Sequence, residues 1–380
     1  MTGTAIFLLG TLGVGGSERK FVRVANALAG RGRPVHLAWL GGPETLLDEI
    51  KPGVAVSPLR RRGKYSLPAL ARLRRLLRTS RPCAVVNVNF YPLVYSVPAK
   101  ALGGSGIRLL ASINTTDLPG TREARFMALY APLLRRMDEV VFGAHAQAAA
   151  WQSAFRLDAR RLGVVHNGVD TERFKPPGEA ERASAREALS LPAAAPVAVC
   201  VAQLRPEKAH MDLLDAFAGC GVGEARLVLA GDGPMRAALE ARAKSLGLDA
   251  RVKFVGEVTD VRPYLAAADL FVLSSVAVET FSNAALEAAA SGLPVVLTDI
   301  GGARELVEDG ITGLVVPRSD PAALAKALGS LFSDPVRCMR MGNTGRRRTV
   351  ESFAFGRMLD DWTTLLWRDG AVTPPQRALA

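Results

Sequence analysis

Apolar positions along this chain come in two rhythms. Short apolar runs, often β-branched and closed by glycine, proline or asparagine, alternate with longer stretches in which apolar residues return every three or four positions. In the first half the short runs are Ala5 to Leu9, Val35 to Leu40, Val54 to Val56, Ala84 to Asn89, Arg108 to Ile113, Glu139 to Phe142 and Gly163 to His166. A second series starts at Pro196 to Val201 and continues through Arg226 to Ala230, Val252 to Val255, Leu270 to Leu273, Val295 to Leu297 and Gly313 to Val316. Strands alternating with helices predict parallel sheets covered by helices, and two such series predict an α/β protein with two doubly wound domains.

Between the series lies Asn167-Gly168-Val169-Asp170, followed by Phe174-Lys175-Pro176-Pro177-Gly178, a turn-rich stretch suited to a linker. The expected division is 1–170, 171–354 and a final helical segment, 355–380. Its apolar residues Met358, Leu359, Trp362, Leu365 and Leu366 suit packing on either domain, a return to the first included. The tail from Thr373 is expected to fray.

A length of 380 residues, 49% of them hydrophobic, supports two cores. No run of about 18 apolar residues marks a membrane span. Met1 leads into Ala5 to Leu9 without a charged n-region or a cleavage site, which argues against a secretory signal. Cys83, Cys200, Cys220 and Cys338 are scattered and make no metal-ligand spacing with the four histidines, as expected of reduced thiols in a cytoplasmic protein. The net charge of +12 is uneven: residues 1–170 hold 24 basic and 10 acidic side chains, and the remainder 24 and 26. The first half is therefore the one expected to meet an anionic surface or ligand.

The opening strand runs into Gly10-Thr11-Leu12-Gly13-Val14-Gly15-Gly16-Ser17-Glu18-Arg19, glycines placed where a helix N-terminus accepts a phosphate. Both parts of the dinucleotide fingerprint are missing. The loop is not G-x-G-x-x-G, and Gly41-Gly42-Pro43 stands where the ribose-binding acid would be.

In the second half four features fall at strand ends, the binding edge of open α/β sheets. Arg205 and Lys208 follow the strand ending at Val201. Gly231-Asp232-Gly233-Pro234 follows Ala230. Val255-Gly256-Glu257-Val258 offers main chain to a base. Finally Glu279, Thr280, Phe281, Ser282 and Asn283 lead into a helix that carries Glu287. Helix N–H groups and cations suit a diphosphate, and the carboxylates suit hydroxyls. Taken singly, each acid also fits the ordinary preference for negative charge at a helix start.

These residues resemble the retaining glycosyltransferases of family four, with their two-domain GT-B fold of two Rossmann-like domains facing an interdomain cleft. The likeness rests on Gly15-Gly16 with Glu18-Arg19, the Asn167 to Asp170 linker with Phe174, Arg205-Pro206-Glu207-Lys208, Gly231 to Pro234, and an E-x7-E pair in Glu279 and Glu287. It implies that Glu287 holds ribose hydroxyls and Glu279 the transferred sugar. Phe281 to Asn283 would meet phosphate or sugar through main chain, Lys208 the diphosphate, and Gly15-Gly16 would close over it.

Two departures stand out. Ala202-Gln203 replaces a common glycine-arginine, so Arg205 is expected to act as the second cation. Asn114 aligns with a common histidine and is expected to donate a hydrogen bond without carrying charge, with Asp117 in the same loop.

The implied reaction moves a sugar from a nucleotide-diphosphate sugar to a hydroxyl of a glycan or lipid-linked acceptor, giving an α linkage. The leaving phosphate takes the acceptor proton on the same face. No D-x-D occurs in the chain, so neither a metal nor another cofactor is expected. The alternatives are a sugar-nucleotide epimerase of the same architecture and a non-catalytic nucleotide-sugar-binding protein.

Nine cations and no acid lie between Arg60 and Arg81, with Leu67, Leu70, Leu73, Leu76 and Leu77 at helical spacing. This helix either faces a core with a solvated basic back, or docks on an anionic inner-membrane leaflet. With 6% aromatics and no reader motif, nucleic acid is not the expected partner. His36, His145, His166 and His210 are assigned packing or capping roles.

Overall fold

The computed structural model describes residues 3–103, 106–114, 127 and 130–367. Asp117 and the tail from Thr373 lie outside them. The chain divides into two compact units, Met1–His166 with Met358–Ala380, and Asn167–Arg357.

The first unit holds β1 (Ala5–Leu9), β2 (Val35–Trp39), β3 (Ala55–Pro58), β4 (Ala84–Val88), β5 (Arg108–Ile113), β6 (Glu139–Phe142) and β7 (Leu162–Val164). They form one sheet in the order β3-β2-β1-β4-β5-β6-β7, with every neighbouring pair parallel. Strands β1 and β4 are buried along their whole length, which is why they read as continuous apolar runs. Pro58, which has no N–H to donate, ends the edge strand β3, where that lack is tolerated.

Helix Gly16–Gly30 buries Phe21, Val22, Val24, Ala25 and Leu28. Helix Leu67–Ser80 is capped by Ser66, whose side chain accepts from the Ala69 N–H, and it buries Ala69, Leu73 and Leu77 with Leu70 and Leu76 packed alongside. Leu70, Leu73, Leu76 and Leu77 of the stripe between Arg60 and Arg81 thus face the core, whereas Leu67 is 80% exposed. The last helix, Phe355–Leu366, belongs to this unit from Met358 onward. There Trp362 meets Phe21 and Phe7 edge-on, at ring separations of 5.4 and 6.2 Å, a favourable aromatic arrangement.

The second unit holds β8 (Val197–Val201), β9 (Arg226–Ala230), β10 (Val252–Gly256), β11 (Leu270–Leu273), β12 (Val295–Thr298) and β13 (Gly313–Val316). Their order is β10-β9-β8-β11-β12-β13, again with parallel neighbours. Counted by appearance this is 3-2-1-4-5-6, so the chain reverses its winding direction between β8 and β11. In open sheets that reversal opens a crevice at the strands' carboxyl ends.

The amino ends of β8 and β11 are tied together. Asp269, the residue before β11, accepts from Arg182 at 2.5 Å, from Arg186 at 2.8 Å and from the Val197 N–H at 2.8 Å. Arg186 is buried, and it also donates to the carbonyls of Ala267, Ala193 and Ala195.

Candidate active site

At the carboxyl end of β8 the chain turns through Ala202 to Arg205 into a single 3-10 turn, Pro206–Lys208, and then into helix His210–Ala218. Ala209, between turn and helix, is left-handed at φ +48°. At the carboxyl end of β11, residues 274–282 lead into helix Asn283–Ala290, which is capped by Ser282 accepting from the Ala285 N–H at 3.2 Å. Val278 is also left-handed, at φ +59°. A β-branched residue there is strained, and such outliers persist only where surrounding contacts hold them.

The two loops meet across the winding reversal. Lys208 Nζ lies 2.5 Å from Glu279 Oε2, with the side chains 20% and 18% exposed. The pair is withdrawn from bulk water yet reachable, so its charges are screened less than those of a surface pair. The Glu207 carbonyl accepts from the Val276 N–H at 2.9 Å, which fixes one loop to the other.

Behind Lys208, His210 is buried beside Cys200, with Nε2 3.7 Å from Sγ. Burial, reinforced by the Lys208 charge, pushes His210 down to about 4, and burial pushes the Cys200 thiol up to about 12. Both groups are therefore neutral at ordinary pH. Lys208 keeps its carboxylate partner without a second cation beneath it.

The glycine turns bring main chain to the same edge. Gly231 has φ +146°, and a Cβ there would strike the Ala202 carbonyl; Gly233, at φ +159°, would strike the Leu204 carbonyl. Only glycine permits this approach to the loop after β8. The Gly231 N–H donates to the Gly256 carbonyl at 2.8 Å, joining the ends of β9 and β10. Val258 follows two residues later, half-buried.

The remaining expected residues divide. Phe281 is buried against Phe353 at 5.2 Å and offers only main chain, its carbonyl accepting from Asn167 Nδ2 at 2.8 Å. Asn283 is exposed at the first helical position, and Glu287 is half-buried one turn on. Among the described residues the ion partner of Arg205 is Glu207, 4.0 Å away, and its side chain is 53% exposed.

In the first unit, Gly15 caps helix Gly16–Gly30, and the Glu18 carboxylate occupies the space a Gly15 Cβ would need. A Cβ on Gly16 would meet nothing within 4 Å, so packing within this unit does not demand glycine there. Asn114 follows β5, beside Asn89 at the end of β4. Asn89 Oδ1 accepts from the Asn114 main-chain N–H at 3.3 Å, which fixes that atom as oxygen. The Asn114 amide nitrogen therefore faces it at 3.2 Å, and its other N–H points to the Ser112 carbonyl at 3.3 Å. Both amide hydrogens are engaged within this unit, so Asn114 donates to a ligand only by exchanging one of these bonds.

Several residues of the second site carry weaker marks in sequence. Ser274 and Ser275 are buried beside the pair. Gly301, at φ +55°, lies so close under the loop that a Cβ would strike the Glu279 and Thr280 carbonyls. The available signal was positional: polar and glycine residues at the carboxyl ends of buried strands.

An open parallel sheet with a cation and a carboxylate facing each other at its winding reversal, beside a helix N-terminus, is of the α/β class that binds ligands at that edge. Residues 14–173 match the family described as Glycosyltransferase Family 4, and residues 195–334 match Glycosyl transferases group 1. The chain is 32% identical over 291 residues to the GDP-mannose-dependent alpha-(1-6)-phosphatidylinositol monomannoside mannosyltransferase of Mycobacterium tuberculosis (strain CDC 1551 / Oshkosh), a match covering 73% of this chain and 70% of that one. It is 33% identical over 231 residues to the lipopolysaccharide core biosynthesis mannosyltransferase LpsB of Rhizobium meliloti (strain 1021), 58% of this chain and 63% of that one. The match thus spans less than two thirds of LpsB. Anabaena HepE, solved in complex with UDP, has the same fold, with a TM-score of 0.85 at 22% identity over 96% of this chain and 99% of that one. The chain belongs to glycosyltransferase family 4 and has the GT-B fold.

Proposed function

We propose that the protein transfers a sugar from a nucleoside-diphosphate sugar to a hydroxyl of a glycan or lipid-linked acceptor, with retention to an α linkage and without a metal ion. The observation that carries this reading is the Lys208–Glu279 pair at the winding reversal of the second sheet. An incoming diphosphate takes the Lys208 ammonium, and the helix beginning at Asn283 turns its first N–H groups toward it. Glu279, released from the lysine, accepts from hydroxyls of the transferred sugar. Glu287 accepts from the ribose, and the main chain of Gly231, Gly256 and Val258 lies along the base.

The bond from the anomeric carbon to the phosphate oxygen breaks as the acceptor oxygen bonds to that carbon from the same side. The acceptor proton passes to the departing phosphate. Lys208 stabilises the charge that develops there, with Arg205 at the rim. In the first unit, Asn114 and the Gly15-Gly16 turn are the candidate substrate contacts. The relatives support the substrate class: two are mannosyltransferases, one of them GDP-mannose-dependent, and HepE was solved with UDP.

Thermal shift against UDP-, GDP- and ADP-sugars tests the donor, because a ligand held at about 100 times its Kd adds roughly 2.7 kcal/mol to native stability. Incubation of the stabilising donor with EDTA and a hydroxyl acceptor, followed by NMR of the product, tests metal independence and the anomer. A donor converted to its epimer without transfer would establish the epimerase instead. The absence of any shift and any turnover would leave the reading without a substrate.

The acceptor side has a finer reading, with the protein cytoplasmic and peripheral at an anionic inner leaflet. Among the described residues no helix is long and apolar enough to cross a membrane. Arg62, Lys64, Arg75, Arg78 and Arg81 are exposed, and Tyr65 and Leu67 stand beside them at 64% and 80% exposure. Each cation near such a surface adds about 1 kcal/mol. Sedimentation with phosphatidylserine vesicles that weakens with salt supports docking; equal sedimentation with neutral vesicles counts against it.

A further inference from the structure

Strand β11 is followed directly by two serines, Ser274 and Ser275, 1% and 0% exposed. Their hydroxyls reach different halves of the Lys208–Glu279 pair. Ser274 Oγ donates toward the carbonyl of Lys208, at 2.9 Å, and lies 3.1 Å from that of Ala209. It therefore grips the main chain of the cation at the left-handed residue that turns the loop into its helix. Ser275 Oγ donates to Glu279 Oε2 at 3.3 Å, the same oxygen that meets Lys208. Its own main chain is fixed from the neighbouring strand, the Ser275 carbonyl accepting from Thr298 Oγ1 at 2.5 Å.

Two buried hydroxyls spent on these contacts have no packing reason to be polar. Alanine would fill nearly the same space directly after β11, whose residues Leu270–Leu273 are all apolar. A hydroxyl without its partners would be costly there, so its presence marks the bonds it makes.

We propose that Ser274 and Ser275 are positioning residues with separate tasks: Ser274 sets where the Lys208 ammonium stands for the diphosphate, and Ser275 aims the Glu279 carboxylate at the sugar. This assignment rests on the donor site proposed above. It predicts a split. Ser274 governs the affinity for the nucleoside diphosphate through main-chain placement of the cation, and Ser275 governs turnover through a carboxylate that has lost one of its two described partners.

The experiment compares Ser274→Ala, Ser275→Ala and the wild type. Binding of UDP, GDP and ADP is read by calorimetry. Turnover of the matching UDP-, GDP- and ADP-sugars with saturating donor is read in parallel, well below each variant's melting temperature. Thr349→Val is the control. It removes another buried hydroxyl of the same unit, one that donates to the Gly345 carbonyl at 2.8 Å, and it should lower the melting temperature while changing neither Kd nor kcat.

Ser274→Ala should raise the Kd of the bound diphosphate about 5-fold with kcat nearly kept. Ser275→Ala should lower kcat roughly 10-fold or more with Kd within about 2-fold, since a bond to a charged group counts for more than a neutral one. Wild-type binding of a diphosphate combined with parallel losses of Kd and kcat in both serine variants, or no loss in either, overturns the assignment alone. A wild-type protein that binds none of the three diphosphates and turns over none of the donors overturns the donor site and the assignment with it.

Discussion

An ion pair stands at each end of the β8–β11 pairing, one between Asp269 and arginines of the helix Glu179–Ala188 and one between Lys208 and Glu279, and the two differ in how completely they are closed. At the amino ends, Asp269 accepts from two arginines and a main-chain N–H, and the buried Arg186 spends its remaining hydrogens on carbonyls of its own unit. Both carboxylate oxygens of Asp269 are taken up by protein donors. At the carboxyl ends, Lys208 meets one oxygen of Glu279, and its other ammonium hydrogens have no protein acceptor among the described contacts. The same chemistry makes a lock at one end and a socket at the other. The difference lies in the surrounding donors and acceptors, since breaking a closed pair costs stability and opening an unsaturated one costs function.

Exchanging the two ends by mutation tests this. Lys208→Ala should lower kcat/KM about 1,000-fold, as expected when charge stabilisation of a leaving diphosphate is lost, with little change in melting temperature. Equal loss of stability and activity would erase the distinction between the ends. Glu279→Gln should lower kcat by about 100-fold or more and leave calorimetric binding of the nucleoside diphosphate largely intact; unchanged turnover would remove Glu279 from the site.

Asp269→Ala is the mirror experiment. It leaves Arg186 buried without its carboxylate and should cost about 3 kcal/mol, read as a drop in melting temperature with kcat per folded molecule preserved. A melting temperature equal to that of the wild type would show that the amino-end pair is no lock.

Acid should also reach the socket end through His210. An unfolded histidine takes up a proton near pH 6.5, whereas His210 stays neutral down to about 4. Between those values the unfolded chain binds more protons, so this contribution to stability is complete above pH 6.5 and is lost as pH falls toward 4. It amounts to on the order of 3 kcal/mol. The melting temperature of the wild type should fall more steeply over that window than that of His210→Gln; parallel slopes would show that the histidine titrates normally.

The smallest effect is expected in the first unit, where strand ends carry neutral amides. Asn114→Ala should reduce kcat/KM about 10-fold or less, the worth of neutral hydrogen bonds. A loss as large as that at Lys208 would mean that the neutral edge is as important to the reaction as the charged one.

The strand pattern was legible because each buried parallel strand must be apolar on both faces, and all thirteen runs read from the sequence correspond to strands. The meeting of Lys208 and Glu279 was partly legible because both stand just past strand ends. The placement of Arg205 was not: a cation four residues past a strand can turn either way, and its side chain is 53% exposed. The orientation of the Asn114 amide was equally hidden, since it is dictated by Asn89, a residue from another strand. The basic segment left two readings open, and packing decided only that Leu70, Leu73, Leu76 and Leu77 face a core.

The order of residues determined by itself which segments become strands, where glycine is obligatory and which polar side chains stand at strand ends, because these follow from local periodicity and backbone sterics. It did not determine which ends become neighbours. That depends on strand order, and only the pairing of β8 with β11 sets Lys208 against Glu279 and puts a serine behind each. Interactions between residues some seventy positions apart exist once the sheet has formed, and their strength depends on the burial that the sheet creates.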